Sequence, residues 1–218
     1  TVEDEKAFEE LWKHLGLSVD WSMTYATIDE RCQRVAQRAF LGNLKRGEAY
    51  QSEAPSLWDV TFQTAVAQAE LEDREQPSAY HELRFRGTSN QPDVVVDTTR
   101  PELLPACVAL VAHPEDERYL HLLGTMTTTP IFGVEVPVLS HELADPEKGT
   151  GIAMVCTFGD TTDVIWWREL DLPVRAIIDR TGRIVSEAPE AIVSTEGKAA
   201  FAQMAGKTVF SAKKEIVE

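Results

Sequence analysis

The sequence predicts a mixed, β-rich α/β fold: a strand-dense body over residues 78–183, flanked by helical, charged segments. Two patterns carry this. Short apolar runs of strand length recur through the middle of the chain, whereas both ends place apolar residues at helical spacing.

In the first 47 residues, Ala7, Phe8, Leu11, Trp12 and Leu15 form one apolar stripe, closed by Gly16. Thr27 followed by Glu30 reads as a capping box. Ile28, Cys32, Val35, Ala36, Ala39 and Phe40 then continue at helical spacing to Gly47. Leu57–Phe62 and Ala65–Ala67 read as short strands, and the charged stretch Glu70–Glu75 as a boundary. His81–Arg86 alternates like a half-buried strand. Val94–Val96 and Val108–Val111 are continuous apolar runs, as in strands buried on both faces. Val134–Val138, Ile152–Cys156 and Ala176–Ile178 add three more strands. Asp160–Leu170 reads as a helix, 184–195 as irregular, and Gly197–Glu218 as helix interrupted near Gly206. The expected division is a flank at 1–75, the body at 76–183 and a returning segment at 184–218.

The chain has 218 residues, 43% hydrophobic and 26% charged, the make-up of a soluble globular protein. No apolar run approaches the roughly 20 residues that cross a bilayer, so no membrane partner is expected. The acidic start Thr1–Glu5 is not a signal peptide and lacks an initiating Met, which suggests a piece of a longer chain. Cys32, Cys107 and Cys156 lie far apart without a CxxC pair; they read as small buried apolar residues in a cytoplasmic protein, with no metal site. A net charge of −15 speaks against an extended grip on a nucleic-acid backbone, so any such partner must present a short end.

Three segments hold groups suited to chemistry. Asp97-Thr98-Thr99-Arg100-Pro101-Glu102 follows the Val94–Val96 run, where two hydroxyls and a guanidinium make a polar rim for a small pocket. The same residues also suit a plain strand terminus, with Pro101 starting a short helix. Gly149-Thr150-Gly151 before the next strand indicates a tight turn or a close backbone approach. No Walker lysine follows, so it is a weak phosphate loop. Asp160 and Asp163 open a helix, as cap and as third helical residue. They serve there either as ordinary helix-stabilising acids or, for one of them, as a partner for a substrate ammonium. There is no GxSxG elbow and no HExxH, and His113 and His141 sit in separate elements.

Taken in order, V-V-V-D-T-T-R-P-E, V-A-L-V-A-H-P-E-D-E-R-Y, F-G-V-E-V-P-V, D-P-E-K-G-T-G and G-D-T-T-D resemble the editing domain of valyl-tRNA synthetases over roughly residues 78–180. That domain is inserted in the catalytic core of the class I valyl, isoleucyl and leucyl enzymes, and the flanks look like chain leaving and re-entering this core. The resemblance implies a small barrel-like sheet and post-transfer editing: hydrolysis of threonyl-tRNA(Val). The isoleucyl or leucyl relative, and a non-hydrolytic module that only holds the acceptor end, are the alternatives.

By the same resemblance, Asp163 pairs with the α-ammonium of the aminoacyl group and Asp160 stands beside it. Thr98, Thr99, Arg100 and Glu102 line the pocket near the terminal adenosine, and Gly149, Thr150, Gly151 and Phe158 complete the substrate-binding set. Because an aminoacyl ester is already activated, no protein nucleophile is needed. Met154, Cys156 and Gly159 stand where this family commonly has lysine, threonine and histidine, so recognition must differ in detail. Residues 57–67 resemble the family's zinc knuckle without its cysteines, and no zinc is expected. HIGH and KMSKS are absent. The segment itself is expected to use no cofactor; ATP and Mg belong to the parent enzyme. Its partners are the tRNA(Val) acceptor end and the remainder of the synthetase.

Overall fold

The computed structural model describes residues 2–52, 54–72, 77–88 and 91–217. They form two compact units divided between Ala54 and Pro55. The boundary expected at residues 75–76, with the last part of the charged stretch before it, lies outside the described residues.

The first unit consists of α1 (Val2–His14) and α2 (Glu30–Lys45). α1 stops where expected: Gly16 takes φ +76° and the Leu17 amide bonds back to the Trp12 carbonyl at 3.0 Å. α2 starts two residues later than the Thr27 capping box required. Asp29 is its N-cap, accepting from the Cys32 amide at 2.6 Å. A carboxylate is the stronger acceptor and gains from the positive end of the helix, which a hydroxyl does not.

In the second unit β1 (Leu57–Asp59) and β2 (Thr64–Val66) pair as a hairpin. The first expected strand is cut short because the Asp59 carboxylate accepts from the Thr61 and Phe62 amides and turns the chain. The main sheet contains β3 (His81–Gly87), β4 (Val94–Thr98), β5 (Ala109–Ala112), β6 (Met126–Thr128), β7 (Glu135–Ser140) and β8 (Ile152–Val155). Their order is β4-β3-β6-β7-β5-β8, with only β5 and β7 parallel. The edge strands β4 and β8 lie close to each other, so the sheet curls into a nearly closed barrel.

Register and burial explain the curl. β3 opposes β4 with Leu83 across from Val96 and Phe85 across from Val94, and Phe85, Val94 and Val96 all point into the core. β5 is buried at all four residues, as its unbroken apolar run predicts, whereas in β4 Val95 is only half-buried. The interior is completed by Leu104, Phe132, Val136, Ile184, Ile192 and Phe201. β6 escapes the apolar-run criterion because it is Met-Thr-Thr. Thr127 is nonetheless buried, with its hydroxyl satisfied by the Arg86 carbonyl at 2.9 Å. Ala176–Ile178, expected as a strand, makes only a single bridge between Ile178 and Ile184.

Three helices complete the unit: α3 (Thr161–Glu169), α4 (Thr195–Met204) and α5 (Val209–Val217). The interruption expected near Gly206 lies between α4 and α5, where Gly206 has φ +71°. No described helix is long and apolar enough to cross a membrane.

Candidate active site

A cavity of about 510 Å³ opens where β4 and β8 end. β4 and the residues after it contribute Asp97, Thr98, Thr99 and Arg100, and β8 contributes Ile152, Ala153 and Met154. Cys156, Gly159, Asp160, Thr162, Asp163 and Trp166 come from the turn after β8 and from α3. Tyr80 and the loop holding Leu143, Ala144, Asp145 and Lys148 close the rim.

Asp160 is the N-cap of α3, accepting from the Thr162 amide at 2.8 Å and the Asp163 amide at 2.9 Å. Asp163, in the first turn, is buried, and the Gly159 amide donates to its Oδ2 at 2.8 Å. Burial pushes its carboxyl up to about 6, and the neighbouring Asp160 charge adds to this; the Gly159 amide pulls the other way. Among the described residues Asp163 forms no salt bridge. A buried carboxylate without a cation is costly to keep charged, and such groups concentrate where function needs them.

Arg100 links the two walls of the cavity. Its Nη1 donates to the Gly159 carbonyl at 2.9 Å and its Nε to Glu102 Oε1 at 3.2 Å. Gly159 therefore accepts from Arg100 through its carbonyl and donates to Asp163 through its amide. A Cβ at Gly159 would lie 2.7 Å from Asp163 Oδ2, so any other residue there would require the carboxylate to shift. Thr98 Oγ1 accepts from the Arg100 amide at 3.1 Å, which leaves its hydroxyl hydrogen available to the cavity.

Four residues expected to touch substrate lie outside the lining. Glu102 is 2% exposed and serves Arg100, while its Oε2 is buried with no hydrogen-bond partner among the described residues. Thr150 supports the wall from behind, its Oγ1 accepting from the Asp97 amide at 3.3 Å and its carbonyl from the Tyr119 hydroxyl at 2.6 Å. Gly149 allows that approach, since a Cβ there would meet the Asp97 Cβ at 3.0 Å. Phe158 packs edge-on against Trp167, with ring centroids 5.1 Å apart, and holds φ +75°. That strained turn delivers Gly159 and Asp160 from β8 to the start of α3.

Gly151, by contrast, does line the cavity. The neighbouring loop is fixed by Arg118, whose guanidinium forks onto the buried Asp116 carboxylate and donates to the Pro146 carbonyl at 2.8 Å. Sequence reasoning missed Asp97, Tyr80, Asp145 and Lys148 as cavity residues. Asp97, Asp145 and Lys148 lie within the motifs quoted above; Tyr80 comes from a segment brought close only by the closing of the sheet.

Neither Cys156 nor His141 is set up as a nucleophile. Cys156 is buried, and burial holds its thiol well above the ordinary range. His141 is turned away to Glu169, with Nε2 and Oε2 2.8 Å apart, and its Nδ1 accepts from the Leu143 amide at 3.1 Å. Among the described residues no group of three or more His, Cys, Asp or Glu is placed to hold a metal ion. The cavity thus has an anionic anchor, hydroxyls and a fixed guanidinium, a set that can orient a cationic substrate and a water.

Comparison with known proteins agrees with the motif order. Residues 2–212 match the family of tRNA synthetases class I (I, L, M and V). Over all 218 residues the chain is 70% identical to the valine–tRNA ligase of Leifsonia xyli subsp. xyli and 67% identical to that of Thermobifida fusca, covering 25% of each. The valine–tRNA ligase of Salinispora tropica is 62% identical over 215 residues, 99% of this chain and 25% of that protein. The chain therefore spans about a quarter of the length of the curated relatives it matches. A solved ternary complex of the Agrobacterium radiobacter K84 agnB2 LeuRS with tRNA and LeuAMS aligns with TM-score 0.39 and 18% identity, over 78% of this chain and 31% of that one. On the family match, this chain belongs to the class I tRNA synthetases of the isoleucine, leucine, methionine and valine group.

Proposed function

We propose that this chain is the post-transfer editing domain of a valyl-tRNA synthetase, hydrolysing mischarged threonyl-tRNA(Val) to threonine and tRNA. One observation carries the reading most: Asp163 is a buried carboxylate on a cavity wall, without a cationic protein partner among the described residues. The α-ammonium of an aminoacyl ester supplies that missing cation and offsets the cost of burial.

With the ammonium held at Asp163, the ester carbonyl is presented to the Thr98–Arg100 wall. Water adds to the carbonyl carbon, the bond to the ribose oxygen breaks, and that oxygen leaves with a proton as the free terminal hydroxyl. Hydroxyls at Thr98 and Thr99 suit the orientation of that water, a role worth several powers of ten in effective concentration. Arg100, engaged with Gly159 and Glu102, holds the wall in place and supplies positive potential.

Threonine and valine have nearly the same shape, and an apolar synthetic pocket discriminates poorly between them. A pocket that hydrogen-bonds the extra hydroxyl rejects the analogue lacking it by about 10⁴–10⁵, because its polar groups would otherwise stay unpaired. The acidic surface fits entry by only the unpaired acceptor end, with the rest of the synthetase supplying most of the tRNA affinity.

The test compares deacylation of threonyl-tRNA(Val) and valyl-tRNA(Val) by the full-length synthetase. Fast loss of threonine alone is expected. If both esters survive, the domain only holds the acceptor end, as the replacements Met154 and Gly159 would then explain. Binding of tRNA by the isolated segment is expected to be weaker than micromolar at physiological salt.

A further inference from the structure

We propose that Lys213, on α5, is a positioning residue for the editing reaction: it fixes the strand end that forms one wall of the pocket. This rests on the function proposed above. Lys213 Nζ donates to the Thr99 carbonyl at 2.7 Å, joining positions 114 residues apart. Among the described residues Lys213 enters no salt bridge, although it is partly buried. A lysine normally keeps its ammonium in water or against a carboxylate, so a lone carbonyl partner is a specific placement.

The carbonyl it holds needs a partner. β4 ends at Thr98, so the Thr99 carbonyl lies beyond the strand ladder, and Arg100 follows with φ −129° and ψ 63°, outside both helix and strand. Binding the carbonyl fixes the Thr99–Arg100 peptide plane. That plane sets where Thr99 faces the cavity and where the Arg100 side chain begins its reach to Gly159. α5 is itself seated: Ala212 is fully buried, and the helix packs on the 3₁₀ turn Pro101–Ala106 that follows the strand end. The returning segment is thereby tied to the site by a charged hydrogen bond, which no apolar contact in its place would orient.

The experiment measures threonyl-tRNA(Val) deacylation by the full-length synthetase carrying Lys213→Met, Lys213→Arg or, as the control, Lys214→Met. Lys214 lies over the Phe210 ring, 4.7 Å from its centroid, and among the described residues makes no bond to the pocket wall. A wall displaced by a fraction of an ångström should lower kcat about tenfold or more, with KM changed less than about twofold. Lys213→Arg should restore most of the rate, and Lys214→Met should leave it unchanged. Lys213→Met acting within twofold of the wild type would overturn the proposal, as would a loss that arginine does not rescue. If Lys213→Met does not fold, Lys213→Gln is read by the same criteria. A wild-type enzyme that does not deacylate the ester refutes the editing function itself, a result distinct from either Lys213 outcome.

Discussion

The two strand ends that meet at the cavity are built on opposite principles. The end of β4 is held from several sides: Thr98 accepts from the Arg100 amide, Glu102 holds Arg100, and Lys213 holds the Thr99 carbonyl. The end of β8 carries the energetic debts, a phenylalanine at φ +75° and a buried carboxylate without a counter-charge among the described residues. One wall is a scaffold and the other is primed. Under the proposed function the site binds a cation at one point, and it then benefits from rigidity everywhere except at that point.

Removing the scaffold's buried charge should have the largest effect on the fold. Glu102→Ala leaves Arg100 without its carboxylate. Because Arg100 is 41% exposed, the cost falls below that of a fully buried pair, roughly 2–3 kcal/mol by chemical denaturation. Deacylation should fall with it, since the Arg100–Gly159 link is loosened. A stability change under about 0.5 kcal/mol would mean that Glu102 does not anchor the wall.

On the primed side the sign reverses. The displacement of Asp163 from 3.8 to about 6 means that the folded state binds its proton more tightly than the unfolded chain. Its destabilising contribution is therefore fully present above about pH 6 and fades as the pH falls toward 4. Asp163→Asn should stabilise the protein by about 2 kcal/mol at pH 8, and the gain should vanish near pH 4. An Asn variant less stable than the wild type at pH 8 would contradict this.

Gly159 tests how closely the walls must meet. In Gly159→Ala the new methyl lies within 2.7 Å of Asp163 Oδ2, so the carboxylate must shift. Deacylation should fall about tenfold while stability changes little. Smallest is the strain term. Phe158→Ala and Phe158→Gly both lose the contact with Trp167, but only glycine also relieves φ +75°. The glycine variant should be the more stable of the two by about 1 kcal/mol, and equal melting temperatures would show no stored strain there.

Much of this contrast was legible in the residues. Apolar runs located the strands because burial on one or both faces leaves a pattern of period two or an unbroken run. Asp160 and Asp163 were placed correctly at the start of α3, since capping chemistry is local. β6 was not visible, because its buried Thr127 is satisfied by a carbonyl from a distant strand. The roles of Glu102 and Thr150 are hidden for the same reason. Their types suit a site, but only the closure of the sheet turns Glu102 onto Arg100 and Thr150 onto the Asp97 amide. Lys213 carried no local signal for its role, which depends on a partner 114 residues away.

The most direct measurement is the rate of threonyl-tRNA(Val) deacylation by the full-length synthetase with Asp163→Ala, at a pH above 7 where the wild-type carboxylate is charged. If Asp163 anchors the substrate ammonium as proposed, its loss should lower the rate by about a hundredfold or more. A variant that still clears threonine at the wild-type rate would show that Asp163 does not hold the substrate.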